Sequence, residues 1–413
     1  MSIYKLKGGA LYIALIISIL IGVMLSIFIL IAWFNQKQVL SRIGTEQLRH
    51  NLISGLNYAQ SSFFMDIDNG EWKKSEYGYD SIKVTARQWG AYSLISVDTK
   101  NNHQSQLKCG IFGCSVASDT ALIIRDFPRP LSIAGKIRLN GLCYIPKGQF
   151  KATDIEGSSF NPSGNINKFI RNAPNSLPEL SRVFLKRLEN SRQTINLKTD
   201  SLIGIIDNVD NSFRGKTAIY ENSNISLNDN KLRGNIKLIA TDKVVVGNQA
   251  LLNDIFIISK KVLIKKGFKG IVHVLASDSI IIEEDCELEY PSSLIVFNDN
   301  EKKVSQMPGI YIGDNCKIMG DIIVTCKLIE NKAMLNVGKE VEVFGVVFSS
   351  GYASLQGKYF GNVYVDRLML KTPLALYDNH LLNIELDSHK FSSSLIIPML
   401  FETQNKLKCA KWL

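Results

Sequence analysis

From Gly8 to Phe34 the chain runs for 27 residues without a charged side chain, and most positions are apolar. At 1.5 Å per residue a helix of that length reaches about 40 Å, more than the roughly 30 Å hydrocarbon layer requires. The run exceeds the 7–15 apolar residues typical of a cleavable signal peptide. It ends in Trp33-Phe34, which suits an interfacial anchor better than a small-residue cleavage site. A retained transmembrane helix over 9–34 is predicted, behind a short basic leader over 1–8. Beyond it, Val39, Leu40, Ile43, Leu48, Leu52, Ile53, Leu56, Ala59 and Phe63 recur mostly at steps of three to five among polar residues. That is one apolar stripe on a helix. An amphipathic stalk helix over 35–65 follows, bounded by Gly55 and the turn Asp66-Ile67-Asp68-Asn69-Gly70. Leu48, Leu52 and Leu56 are its packing positions, to be covered by the chain's own domain or by neighbouring subunits. In the second case Asp at all three abolishes assembly and leaves the body folded.

The remainder reads as strands. Ser81-Ile82-Lys83-Val84-Thr85-Ala86 and Lys136-Ile137-Arg138-Leu139 alternate with period two, so residues 72–149 form a β-rich region. A connector over 150–233 is rich in Gly, Ser, Asn and Pro at its start. It carries one helix near 178–191, with Ser176 as cap and Pro178 in the first turn. Over 234–366 apolar runs recur, centred near 256, 273, 295, 323, 347 and 364 and separated by Gly or Asn. Short strands at that spacing predict a stacked β-coil, a β-solenoid with aliphatic side chains inside and Gly313, Gly338 and Gly357 at corners. An ordinary β-sandwich is the competing architecture. Residues 367–413 would cap the last coil. The fold class is therefore mainly β, with an N-terminal membrane helix and stalk, a β-rich middle and a C-terminal β-helix.

Two resemblances sharpen this reading. Lys5-Leu6-Lys7-Gly8-Gly9-Ala10-Leu11, followed at once by the apolar helix, resembles the start of type IV pilin-like proteins. The resemblance implies a prepilin peptidase cutting after Gly8 or Gly9, and a long helix that is half in the membrane and half under a globular head. The chain departs from most of that family, which has Glu at the fifth mature position; here that place falls on Ile13 or Ala14, as in some minor pilins and pseudopilins. The match covers about the first 60 residues. The coil region resembles the β-helical cores of bactofilins and of polysaccharide-active β-helix proteins.

Charge and cysteine content change this picture little. The 48 Lys and Arg outnumber the 38 Asp and Glu, but they are spread along the chain, which describes a solvated basic surface rather than a nucleic-acid footprint. Seven cysteines do not make a disulfide framework. Cys109 and Cys114, in Lys108-Cys109-Gly110-Ile111-Phe112-Gly113-Cys114, are the one local pair; the two glycines would let the chain double back, and an oxidising compartment would let the thiols bridge. The five histidines have no metal-type spacing, and no nucleotide or hydrolase fingerprint is present. His273 alternates as an outward-facing strand residue. Asp254, Asp278, Asp285, Asp314 and Asp321 are the acidic residues a β-helix glycosidase would need along one face, although most occupy strand starts or corners where Asp serves turn geometry.

The expectation is a non-enzymatic, single-pass inner-membrane protein with its body periplasmic or extracellular, acting as a minor pilin-like component of an envelope filament or secretion machine, with roles in assembly or adhesion. Its partners are the bilayer and other subunits of that assembly; no cofactor, metal or catalytic residue is expected. The alternatives are an envelope-tethered β-helix that binds or cleaves polysaccharide, and a bactofilin-like scaffold polymer.

Overall fold

The computed structural model describes residues 9–61, 70–74, 80–115, 119–193, 200–204, 207–300, 306–328, 332–372, 374–392, 395–402 and 407–413. Gly8, Phe63 and the Asp66–Asn69 part of the expected turn lie outside them. The protein is mainly β, with one long apolar helix, and the chain divides into two compact units.

The first unit contains helix α1, Gly9–Ala59, up to Leu56, with strand β1 (Trp72–Lys74) and segments of β2 (Ser81–Trp89), β3 (Tyr92–Lys100) and β4 (Ser105–Ser115). Membrane and stalk portions are thus one uninterrupted helix, and Gly55 does not break it. The helix is long and apolar enough to cross a membrane, and its most apolar stretch is uncovered. Within it Ser18 and Ser26 donate to the carbonyls of Ala14 and Gly22, each at 2.8 Å, so these hydroxyls need no outside partner. Lys37 lies over the Trp33 ring, 5.2 Å from its centroid. Further along, polar contacts fasten α1 to the strands of its unit. Thr45 Oγ1 donates to Gln104 Oε1 at 2.9 Å, Gln104 Nε2 donates to Ser41 Oγ at 2.9 Å, and Asn51 Nδ2 donates to Asp80 at 2.8 Å.

In the second unit, parallel strands stack row upon row in three columns. The first column pairs Thr217–Leu227, Ile236–Val246, Ile255–Ile264 and Val272–Ile282 through their leading halves, and continues through Ile295, Ile323, Phe348 and Tyr364. The same strands bend, with register shifts such as that between Ser259 and Lys261, and their trailing halves build the second column. The third column carries Lys231–Gly234, Leu251–Asn253, Lys269–Gly270 and the leading ends of later strands. Pairing is parallel throughout these columns, which is not the arrangement of an antiparallel sandwich. Ile257, Val262 and Leu252, one from each column, share a single aliphatic core.

The ladder reaches past the 234–366 texture on both sides. It begins at Asp200–Leu202, and beyond Gly357–Lys371 it is continued by residues from much earlier in the chain. Val363 pairs with Leu122, and Leu381 and Ile384 pair with Ile133 and Ile137. Strands within 120–172 therefore follow His380–Asp387 in the stack, although they precede it in sequence.

Helix α2 spans Arg182–Gln193 rather than starting near Pro178. The Ser181 carbonyl accepts the first helical bond, from Leu185 N, while Ser181 N is held by Leu400 O at 2.7 Å, so the start of the helix is set by a tertiary contact.

The third column carries a charge ladder. Lys269, Glu287, Lys317, Glu342, Lys358, Glu385 and Arg138 are consecutive partners, one per row and alternating in sign. Lys269–Glu287 closes at 3.2 Å, Lys358–Glu342 at 2.8 Å and Arg138–Glu385 at 3.7 Å. Directly opposed opposite charges contribute about 0.2–1 kcal/mol each, and opposed like charges cost a similar amount. Glu342→Lys, which puts three lysines in successive rows, is expected to lower unfolding stability by about 1–2 kcal/mol. Glu342→Gln should cost less than half of that, and urea titration of both variants checks the order.

Candidate functional site

The polar groups of the second unit converge on the outer surface of the first column. Consecutive rows there place Lys237, Phe256, His273, Ser293 and Asp321 as direct partners. Over this line sits the turn between β2 and β3, Gln88-Trp89-Gly90-Ala91-Tyr92. Trp89 stacks edge-on against Phe213 at 5.2 Å and lies 5.5 Å from Phe256, and its indole N–H donates to Asp254 O at 3.0 Å. Arg87 donates to Thr217 Oγ1 at 2.5 Å and to Asn235 Oδ1 at 3.1 Å.

Gly90 is what lets the turn come this close. Its φ is +61°, and a Cβ there would stand 2.2 Å from Ser293 Oγ and 2.6 Å from His273 Cβ. The next backbone N–H, of Ala91, donates to Ser293 Oγ at 3.0 Å, and His273 Nδ1 meets the same oxygen at 3.0 Å. Burial holds the imidazole neutral, with its pKa lowered to about 3. One row on, Asp321 Oδ2 accepts from Tyr92 Oη at 2.5 Å, and Oδ1 accepts from Val346 N at 2.8 Å. Burial outweighs these bonds, so the Asp321 carboxyl is pushed up to about 7. Once protonated, Asp321 can donate to Tyr92 Oη, leaving the tyrosine proton for Ile396 O at 3.3 Å. Tyr290 Oη completes the group, accepting from Ile396 N at 3.0 Å and donating to Ile396 O at 3.2 Å.

Serine, histidine and aspartate side by side invite a hydrolytic reading, but the geometry points elsewhere. Serine stands between the other two, the carboxylate binds tyrosine rather than imidazole, and all three side chains are fully buried. The arrangement fastens the turn and the C-terminal segment at Ile396 to the ladder. Lys411, on the last strand Leu407–Trp412, grips buried Asp254 at 2.7 and 2.9 Å. Among the other acidic candidates, Asp314 accepts from Lys339 N at 2.7 Å, and Asp285 takes a left-handed corner with φ 60°.

The residues singled out from sequence are not brought together. Gly9 is the exposed first residue of α1. Leu48, Leu52 and Leu56 are buried at 0, 8 and 7% exposure, so the chain itself covers that stripe and the expectation that Asp there spares the fold is corrected. Val39, Leu40, Ile43 and Ile53 remain 47–62% exposed. Cys109 and Cys114 are free thiols on the one continuous strand β4. Five steps along an extended strand separate them by about 16 Å, several times what a disulfide spans, and the glycines between them do not turn the chain. His273 does face outward from the ladder, as read, but lies under the turn. The sequence pattern alone does not single out its neighbours Tyr92, Ser293 and Gly90; the one local signal is a two-residue turn flanked by Trp and Tyr, large side chains that a solvent-exposed turn does not need.

An unfolded aspartate titrates near about 3.9, so the folded chain holds the Asp321 proton more tightly. The stability this gives is complete below about pH 4 and is lost as pH rises through about 7. Asp321→Asn should flatten the dependence of urea-unfolding free energy on pH between 4 and 8, by on the order of a few kcal/mol across that window. Parallel curves for the two proteins would show that Asp321 does not keep its proton. No family model, curated protein or solved structure matches this chain.

Proposed function

We propose that the protein is a single-pass, membrane-anchored, non-enzymatic assembly component, a minor pilin-like subunit of an envelope filament or secretion machine with its body outside the inner membrane. In the same reading the three-column ladder is a β-solenoid. The observation that carries it is the bare apolar surface of α1. Its large apolar side chains from Leu11 to Phe34 are 43–77% exposed, an expanse that lipid or other subunits must cover. The continuity of that helix through Ala59 and the use of Ser293 and Asp321 for internal fastening both support a mechanical role. Lateral packing then falls to the uncovered positions Val39, Leu40, Ile43 and Ile53.

A second reading, a polysaccharide-binding body, is favoured by one feature. A shallow groove of about 570 Å³ on the third column has a mainly apolar lining that includes Val209 and Leu251, and at it Asn208, Asp210, Lys231 and Arg233 offer groups that can meet sugar hydroxyls and carboxylates.

N-terminal sequencing of the mature protein tests the first reading; a start at Gly9 or Ala10 is expected, and an intact Met1 overturns pilin-like processing. Ile43→Asp should abolish co-assembly in a pull-down of differently tagged copies, with the thermal melt unchanged. Leu48→Asp, which buries an unpaired charge, should lower stability by about 3–5 kcal/mol.

A further inference from the structure

The row-on-row register also stacks two cysteines. Glu287 pairs with Lys317, and Lys317 N donates to Cys286 O at 2.9 Å, so Cys286 and Cys316 hold the same position in adjacent rows. Each follows a residue in the left-handed region, Asp285 at φ 60° and Asn315 at φ 57°, which turns its side chain inward at the corner. Neighbouring parallel strands lie about 4.8 Å apart, within the 4.4–6.8 Å Cα separation that a disulfide accepts. Each thiol donates to a main-chain carbonyl of the neighbouring row, Cys286 to Lys265 O at 3.2 Å and Cys316 to Glu283 O at 3.1 Å. Both are buried, directly beneath the exposed turn residues Glu284, Asp285, Asp314 and Asn315.

We propose that Cys286 and Cys316 are a disulfide-forming pair that closes one full turn of the ladder into a covalent ring. Between them the chain passes once through the third, first and second columns before returning to the same corner. The oxidant is a disulfide, either of a dithiol oxidase or of oxidised glutathione. The Cys286 thiolate attacks one of its sulfurs and expels the other as a thiolate. Cys316, having given up its proton, then attacks the resulting mixed disulfide and releases the second thiolate. Two protein thiols become one S–S bond, two protons are released, and the two electrons leave on the reduced oxidant. The neighbouring Cys316 lowers the Cys286 thiol below its ordinary value, which suits it to the first attack. The ring matters because parallel rows can be peeled one at a time from an end, whereas a closed row cannot separate from its neighbour without breaking a covalent bond.

The test uses the full-length protein, purified reduced in detergent and equilibrated with oxidised glutathione a few degrees below its melting temperature, so that burial does not limit exchange. After denaturation in N-ethylmaleimide and non-reducing trypsin digestion, mass spectrometry should find the peptide Gly270–Lys302 joined to Val304–Lys317. The oxidised protein should melt several degrees above the reduced one, and Cys286→Ser and Cys316→Ser should each remove both effects. Fully alkylated peptides after oxidation, a Cys286 linkage to any other cysteine, or an equal melting shift in Cys286→Ser would overturn the proposal. None of these results depends on how the N-terminus is processed.

Discussion

Burial of one column of parallel strands on both faces is the constraint on which the second unit depends. Ile257, Val274, Leu294 and Ile322 point into the core shared by the three columns, while Phe256, Ile258, Leu275, Ile295, Phe297 and Ile323 point the other way. The outward set needs a cover, which β4, α2, the turn after β2 and the C-terminal segment supply. A sheet covered on both faces tolerates near-continuous apolar runs, whereas a sheet with one wet face alternates. That difference is visible between Ile255-Phe256-Ile257-Ile258 in the first column and Lys317-Ile318-Met319 in the third.

Two-sided burial also explains where polar groups had to be resolved. Arg192 of α2 reaches the carbonyls of Ala276 and Phe297 at 3.0 and 2.5 Å and the Asp299 carboxylate at 3.0 Å, so a helix laid over strands still satisfies exposed main-chain oxygens. Under the turn, Ser293 and Asp321 do the same for the main-chain N–H groups of Ala91 and Val346. Ser293 and Asp321 there take the place that water would hold beside those main-chain groups, and burial raises the Asp321 carboxyl because a negative charge is costly in that setting.

The ladder is also closed in an order the chain does not follow. Rows from 120–172 extend the end reached at Asp387, so the contact between Val363 and Leu122 joins segments some 240 residues apart. Parallel strands expose unpaired N–H and C=O groups at each end of a stack, and an early segment placed against a late one covers one such edge. Within the rows, alternating charges on the third column favour one register over slipped ones.

Much of this was legible in the sequence because it is local. The apolar run to Phe34 makes a long helix from its length and lack of charge alone. The six runs centred between 256 and 364 all fall in the first column and pair run to run, because repeated burial leaves a repeated composition. Gly313 and Gly338 are corner positions as read, where a Cβ would meet main-chain atoms of the neighbouring corner within 3 Å. What the sequence could not carry is long-range pairing. Nothing near Leu122 announces Val363, nothing near Ser181 announces Leu400, and the spacing of Cys109 and Cys114 suggests a pair although strand β4 runs straight through both. The helix stripe shows the same limit: periodicity identified Leu48, Leu52 and Leu56 as apolar contacts, but only the packed chain decided that their partner is the protein itself. Periodicity records which side of an element avoids water; the identity of what covers it is a property of the whole fold.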